Sequence, residues 1–154
     1  MITSRVSADQ ASGVTPFYAA TVSRHQNGHT VRLACRWPTS SVAVLSAHGE
    51  IDASNADSLT DYAVAHVMRC RGLVLELRDL DFFGTEGFSA LHRVSVSCAR
   101  VGTGWAMVPG VAVTRVLRIC DPQGSLPTAC TVDAAMATLP RSPSHRLQLI
   151  TKTQ

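Results

Sequence analysis

The sequence lacks any apolar run of the roughly 18 residues that a membrane-spanning helix requires. Its first residues, MITSRVSADQASG, contain no apolar segment typical of a secretory signal peptide. Lysine occurs once, at Lys152, beside thirteen arginines, and no basic run resembles a patch for nucleic acid or membranes. We therefore expect a cytoplasmic protein whose partners are neither nucleic acids nor membranes.

The motifs of common enzyme and metal sites are also missing. The cysteines form no CxxC pair, and His48, His66 and His92 lack companions at zinc-ligand spacing. The sequence contains no Walker loop, no Rossmann glycine fingerprint and no Ser/His/Asp arrangement. We therefore expect a non-catalytic protein that binds no metal and no cofactor.

Five cysteines are spaced singly along the chain, at Cys35, Cys70, Cys98, Cys120 and Cys130. In a reducing compartment such cysteines are typically small buried residues. A reactive or redox-sensitive thiol is the alternative interpretation. A disulfide between Cys70 and Cys98 also stays open, because the two predicted helices that carry them could pack side by side.

The length and composition suit one globular domain. The chain has 154 residues, of which 45% are hydrophobic, and a net charge of +3. Residues 1–29 are rich in small polar residues and are predicted to form a flexible arm, with a short strand near Pro16–Val22. A single domain is predicted over residues 30–140, followed by a disordered tail over residues 141–154.

Strand and helix patterns alternate through the predicted domain. Val31–Trp37 and Val42–His48 predict a β-hairpin. A helix follows, with Ser54 or Asn55 as its cap and Gly72 as its end. Its apolar face comprises Ala56, Leu59, Ala63, Val67 and Cys70.

The remaining patterns complete an α/β order. LVLELR predicts a strand, and a second helix follows with Thr85 as its cap and Gly102 near its end. GWAMV predicts another strand, and Pro109-Gly110 begins a third helix. LPTACT then predicts a short extended segment, and Thr131 caps a fourth helix. The order ββαβαβαβα predicts an α/β domain: a mixed sheet with an N-terminal hairpin and helices mainly packed on one side.

Functional residues of open α/β sheets gather beyond the carboxyl ends of the strands. Two predicted loops lie there, Gly49–Asn55 and Asp79–Gly87. In the second loop, Gly84 and Gly87 permit tight backbone turns. Glu86 falls in the first helical turn, where the helix dipole favours a negative charge. These residues suit either a simple helix start or a binding surface.

Three stretches, in order, resemble the STAS domain, the fold of anti-sigma factor antagonists. VAVLSAHGEIDASNADSL is similar to the family's strand, G-E-[IL]-D and helix. LVLELRDLDFFGTEGFSAL is similar to its next strand, the D-S-S-G motif and the following helix. MVPGVAVTRVLRICDPQGSLPTACTVDAAMATL matches its P-x-x-V-x-x-[VL]-L segment and last helix, so that the resemblance covers roughly Thr30 to Leu139.

The resemblance implies that the protein binds an anti-sigma factor of the histidine-kinase-like ATPase type and thereby frees a sigma factor. In the family this partner phosphorylates the second serine of D-S-S-G, and the phosphate blocks binding. Here the motif reads Gly84-Thr85-Glu86-Gly87, so Glu86 stands at the phosphoacceptor position. Its carboxylate carries one negative charge, against ~1.5–2 for a phosphoserine. The position is thus either locked in a partial imitation of the phosphorylated state or released from kinase control. The carboxylate is repelled by a partner pocket that presents acidic residues or a nucleotide phosphate, and it pairs with one that presents arginine.

The resemblance and the two loops together predict the partner-binding residues. These are Asp52, Ser54, Asn55, Phe83, Gly84, Thr85, Glu86, Gly87 and Phe88, with Thr85 as a possible substitute phosphoacceptor. One of the adjacent Phe82 and Phe83 is expected in the core and the other near the surface. The alternatives are a STAS module that binds a nucleotide or small ligand or acts as a signalling scaffold, and a small enzyme on the same fold. Homodimer formation stays open.

Overall fold

The computed structural model describes residues 3–9, 17–26 and 29–140, with side chains from Thr30 to Pro140. These residues form seven strands and four helices. The strands are β1 (Thr3–Asp9), β2 (Phe17–Gln26), β3 (His29–Arg36), β4 (Val42–Ile51), β5 (Gly72–Leu77), β6 (Leu80–Phe83) and β7 (Gly104–Pro109). The helices are α1 (Ala56–Val67), α2 (Thr85–Val101), α3 (Val111–Cys120) and α4 (Val132–Thr138).

All of the described strands belong to one mixed sheet with the order β1-β2-β3-β4-β5-β7. Strands β1 to β4 are antiparallel neighbours, whereas β4, β5 and β7 are parallel. The short strand β6 pairs in parallel with the end of β4, at Gly49–Ile51. The predicted α/β fold and the hairpin of β3 and β4 are confirmed. β6 was missed, because its four residues were included in a predicted loop. The extended segment predicted at LPTACT is not a strand and makes one isolated parallel bridge, between Thr128 and Met107 of β7.

Both faces of the central strands are buried, as is typical of parallel strands covered on each side. On one face Leu45, Leu73 and Leu75 pack with α1, α2 and the inner side of α3. On the other face Val44 and Val74 pack with α4. Three of the four described helices therefore cover one side of the sheet, as predicted.

The amino-terminal region differs from the flexible arm predicted for residues 1–29. Thr3–Asp9 and Phe17–Gln26 form β1 and β2, and most of the strand expected near Pro16–Val22 falls within β2. Strand pairing uses backbone groups that every residue except proline carries, so a composition of small polar residues gives little sign of it. The predicted disordered tail, residues 141–154, lies outside the described residues.

Two helix boundaries differ from those predicted. α1 ends at Val67, and Gly72 begins β5 instead of terminating the helix. The segment after α1 hydrogen-bonds to the chain that enters β4 instead of continuing the helix. There the Gly72 N–H donates to the Ser41 carbonyl at 3.2 Å. Thr85 is the first residue of α2 and not its cap; Gly84 takes the cap position, without a side-chain hydrogen bond.

The other predicted helix boundaries agree with the structure. α2 is followed by Gly102 with a φ of 76°, a left-handed conformation that favours glycine. The Thr131 hydroxyl caps α4 by accepting a hydrogen bond from the Ala134 N–H at 3.0 Å. α3 begins directly after Gly110, which is its cap residue.

Gly49 is a position in β4 that requires glycine. The pairing of β4 with β6 shifts register between Gly49 and Glu50, which marks a β-bulge. The φ of Gly49 is 105°, and a Cβ added there would lie 2.3 Å from the Thr30 carbonyl oxygen on β3. Only glycine fits, because the clash would be with backbone atoms of a paired strand.

We expect Gly49→Ala to lower the free energy of unfolding by about 3 kcal/mol or more, since a positive φ and a backbone clash act together. Gly102→Ala is the matched control. Gly102 also has a positive φ, but nothing lies within 4 Å of an added Cβ, and its cost should be about 1–2 kcal/mol. Urea unfolding measures both values, and equal losses would contradict the importance of the Thr30 contact.

Candidate functional site

The carboxyl ends of β4 and β6 meet at one edge of the sheet. The Gly84 N–H donates a hydrogen bond to the Ile51 carbonyl at 2.8 Å, so the chain leaving β6 is held beside the end of β4. The first turn of α2 therefore lies next to the loop that follows Ile51. The two predicted loops, Gly49–Asn55 and Asp79–Gly87, are brought together at this edge.

The loop after β4 is held in shape by the buried side chain of Asn55, which is 1% exposed. Its amide nitrogen donates to the Glu50 carbonyl at 2.8 Å, and its amide oxygen accepts from the Asp52 N–H at 3.0 Å. These bonds hold the backbone of the loop at Glu50 and Asp52. Asn55 was predicted to be a partner contact, but its burial makes it a support of the loop.

Asp52 and Ser54 form the outer part of the same loop. The Asp52 carboxylate accepts hydrogen bonds from the Ser54 N–H at 2.8 Å and from the Ser54 hydroxyl at 2.5 Å. This is the short side-chain turn that aspartate commonly makes with the second residue after it. Both residues are partly exposed, so their predicted place on the accessible surface agrees with the structure.

The side chains of Thr85 and Glu86 are exposed in the first turn of α2. A Cβ added to Gly84 would lie 2.9 Å from Glu86 Oε2, so the carboxylate folds back toward the helix start. The helix dipole stabilises a negative charge there by about 0.3–1 kcal/mol. Among residues 30–140, no basic side chain lies within 4.0 Å of this carboxylate.

The two adjacent phenylalanines divide between core and surface, as expected. Phe83 is 4% exposed and Phe82 is 48% exposed. A Cβ added to Gly87 would lie 2.4 Å from the Phe83 ring, so the ring fills the space that the glycine leaves. The prediction that Phe83 and Gly87 contact a partner is therefore not supported, because both are buried. Phe88 is partly buried against the core.

The accessible residues of this edge form what we call the edge surface. It comprises Asp52, Ser54, Phe82, Thr85, Glu86 and Phe88. The partner-binding residues predicted from the sequence included Phe83 and not Phe82. The sequence did contain a sign that Phe83 is the buried ring. Gly87 follows it by four residues, and a glycine there leaves room for the ring.

Residues 38–135 match the protein family described as STAS domain. The chain is also 30% identical over 111 residues to Osmosensory protein A of Mycobacterium tuberculosis (strain ATCC 25618 / H37Rv), a match that covers 70% of each protein. The protein belongs to the STAS domain family.

Solved structures with a similar fold include anti-sigma factor antagonists. One from Mycobacterium paratuberculosis has a TM-score of 0.58 and 24% identity, covering 82% of this chain and 97% of that one. The Bacillus cell fate determinant SpoIIAA in its phosphorylated form has a TM-score of 0.53 and 13% identity, covering 68% and 96%. These similarities establish a common fold, and the antagonists of this family are normally non-catalytic.

The described part of the chain offers no cluster of three His, Cys, Asp or Glu side chains that could hold a metal ion. The helices within it are also too short or too polar to cross a membrane.

The cysteines are all free thiols, and three of them, Cys35, Cys70 and Cys98, are buried. Burial, and to a smaller extent the charge of the nearby Cys70 thiolate, raises the pKa of Cys35 to about 11 and that of Cys98 to about 12. The disulfide left open between Cys70 and Cys98 is not formed. Cys120 is partly buried and Cys130 is exposed.

We expect Asn55→Ala to lower the free energy of unfolding by about 2–4 kcal/mol, because it leaves two backbone groups without partners. Asn55→Asp keeps the oxygen that accepts from Asp52 but loses the donor to Glu50, and should fall between wild type and Asn55→Ala. Ser54→Ala is the control on the same loop, with an expected loss below about 1 kcal/mol. Urea unfolding tests the order, and an Asn55→Ala protein as stable as Ser54→Ala would contradict the supporting role.

We expect iodoacetamide at pH 8 to label Cys130 first and to leave Cys35 and Cys98 unmodified in the folded protein. A thiol with a pKa near 11 exposes about a hundredfold less thiolate at this pH than an unperturbed thiol, and burial restricts access as well. Peptide mass spectrometry with and without urea measures the labelling. Rapid modification of Cys35 in the absence of urea would contradict the burial of this group.

Proposed function

We propose that the protein is an anti-sigma factor antagonist that binds an anti-sigma factor of the histidine-kinase-like ATPase type and so releases a sigma factor. Membership of the STAS domain family and the similarity to antagonist structures support this proposal. The observation that carries it is the exposed Glu86 in the first turn of α2, beside the loop after β4. This is the position of the regulated serine in the motif of the family.

The edge surface is the proposed docking site. Phe82 contributes exposed aromatic area, which is common among residues that dominate binding energy at protein interfaces. Asp52, Ser54 and Thr85 surround it with polar groups suited to an interface rim. Asn55 and Phe83 hold this surface from below, since both are buried.

The proposed role of Glu86 is to weaken this binding permanently. In the family a phosphate at this position prevents docking on a partner that itself carries ATP. Glu86 places a negative charge at the same point. Two like charges about 8 Å apart at an effective dielectric constant of 20 repel by roughly 2 kcal/mol. The affinity for the anti-sigma factor would then be low, and a kinase that acts at this position could not change it.

Thr85 remains the proposed substitute phosphoacceptor. Its side chain is exposed in the first turn of α2. The hydroxyl is, however, one residue away from the position of the regulated serine. Because phosphoryl transfer depends on accurate alignment of the attacking oxygen, modification there should be slower than on a serine at position 86.

We expect Glu86→Ser to bind the ATP-loaded, purified anti-sigma factor about tenfold more tightly or better, because it removes the repulsion. Glu86→Gln, which is neutral and similar in size, should gain almost as much. Biolayer interferometry measures the dissociation constants. A loss of binding in both variants would show that the carboxylate is a direct contact, and equal binding would remove Glu86 from the mechanism.

Asp133→Asn is the matched control for these measurements. Asp133 is also an exposed acid in the first turn of a helix, but α4 lies on the opposite face of the sheet. The Asp133→Asn variant should bind the anti-sigma factor with the same affinity as wild type. Incubation with the anti-sigma factor and ATP, followed by mass spectrometry, should show phosphate on the introduced serine of Glu86→Ser and little on Thr85 of the wild type. An absence of binding in every variant would refute the proposed function itself.

A further inference from the structure

A groove lined by arginines lies outside the edge surface, on one side of α3. It has a volume of about 680 Å³, and Arg78, Arg115 and Arg118 are among its lining residues. The turn after β5 and the start of α3 come together there, because a Cβ on Gly110 would lie 2.8 Å from Arg78 Cα. We call this cavity the arginine groove.

The charge of the arginine groove is strongly positive. None of its lining residues is acidic. Arg78 is held by hydrogen bonds to Glu76, but neither Arg115 nor Arg118 has an ion pair among residues 30–140. Arginine presents a planar set of donors that matches a carboxylate with two parallel hydrogen bonds. Two such side chains are therefore available to bind an anion.

The shape of the arginine groove is elongated. A second cavity of about 310 Å³ shares Thr114 and Arg118 with it and continues along α3. The walls of this continuation include the apolar residues Leu117, Pro122 and Leu126 and one acidic residue, Asp121, whose carboxylate accepts hydrogen bonds from the Ser125 N–H, the Ser125 hydroxyl and the Leu126 N–H. At the other end Val111 is 70% exposed. A ligand that follows the whole groove would therefore contact apolar side chains as well as arginines.

We propose that the arginine groove binds an extended, acidic segment of a polypeptide partner, whose carboxylates pair with Arg115 and Arg118 and whose apolar residues lie along α3. Charge complementarity and the apolar residues along the groove favour this occupant. A compact phosphate would use neither the length nor the apolar part. A single-stranded nucleic acid would lack stacking platforms, since neither cavity is lined by an aromatic residue.

The carboxyl-terminal residues of the chain itself are unsuited to the groove. Residues 141–154 contain Arg141, Arg146 and Lys152 and no acidic residue. Their charge would be repelled by the arginines. The occupant is thus a separate, acidic chain, and this proposal does not depend on the identity of the protein that docks on the edge surface.

The test uses the full-length protein and a fluorescein-labelled decapeptide, EELEELEELE, in a fluorescence anisotropy titration. The double variant Arg115→Gln/Arg118→Gln should weaken binding by about tenfold or more. Arg69→Gln/Arg71→Gln is the matched control, because it removes the same charge from exposed arginines that line neither part of the groove. Its affinity should stay within about twofold of wild type. Thermal unfolding verifies that both variants are folded.

Further measurements separate the remaining interpretations. QQLQQLQQLQ should bind much more weakly, and amide NMR shifts with the acidic peptide should concentrate at Arg78 and residues 109–128. Four results would each overturn the proposal: no binding by wild type, equal weakening in both double variants, equal binding of the glutamine peptide, or complete displacement by inorganic phosphate at constant ionic strength. The last result would identify an anion site in place of a peptide groove.

Discussion

The pairing of β6 with the end of β4 is the constraint on which the rest of the site depends. One backbone hydrogen bond, from the Gly84 N–H to the Ile51 carbonyl, closes this pairing immediately before α2 begins. It sets where the first turn of the helix lies and hence where Glu86 reaches the surface. Gly49 lies where this pairing begins, and its positive φ and missing side chain let β4 pass close to Thr30 of β3.

The edge surface rests on buried residues that a partner would never touch. Asn55 pairs the backbone of the loop after β4, and Phe83 supports the start of α2 by packing beside Gly87. Such preorganisation reduces the entropy that docking would otherwise cost. It also means that a substitution below the surface can change binding without removing any contact, so stability and affinity must be measured together for this protein.

The charges of the molecule are distributed unevenly around the same edge of the sheet. Glu86 presents a negative charge at the start of α2, whereas Arg115 and Arg118 present positive charges along α3. Electrostatic complementarity contributes mainly to specificity and to the rate of association. Two neighbouring surfaces of opposite charge therefore suit two different partners, or two differently charged parts of one partner.

The sequence by itself determined the α/β class, the four helices, the strands β3, β4, β5 and β7, the buried face of α1 and the acidic residue at the start of α2. These follow from apolar periodicity and from local motifs, which act over a few residues. Only the tertiary structure decided that β1 and β6 are strands, that the segment before α4 is not one, and that α1 ends at Val67. Only the tertiary structure shows that Arg78 lies beside the start of α3. The reason is physical: strand pairing and side-chain burial depend on contacts between residues distant in the chain, and no local pattern encodes which of these contacts form.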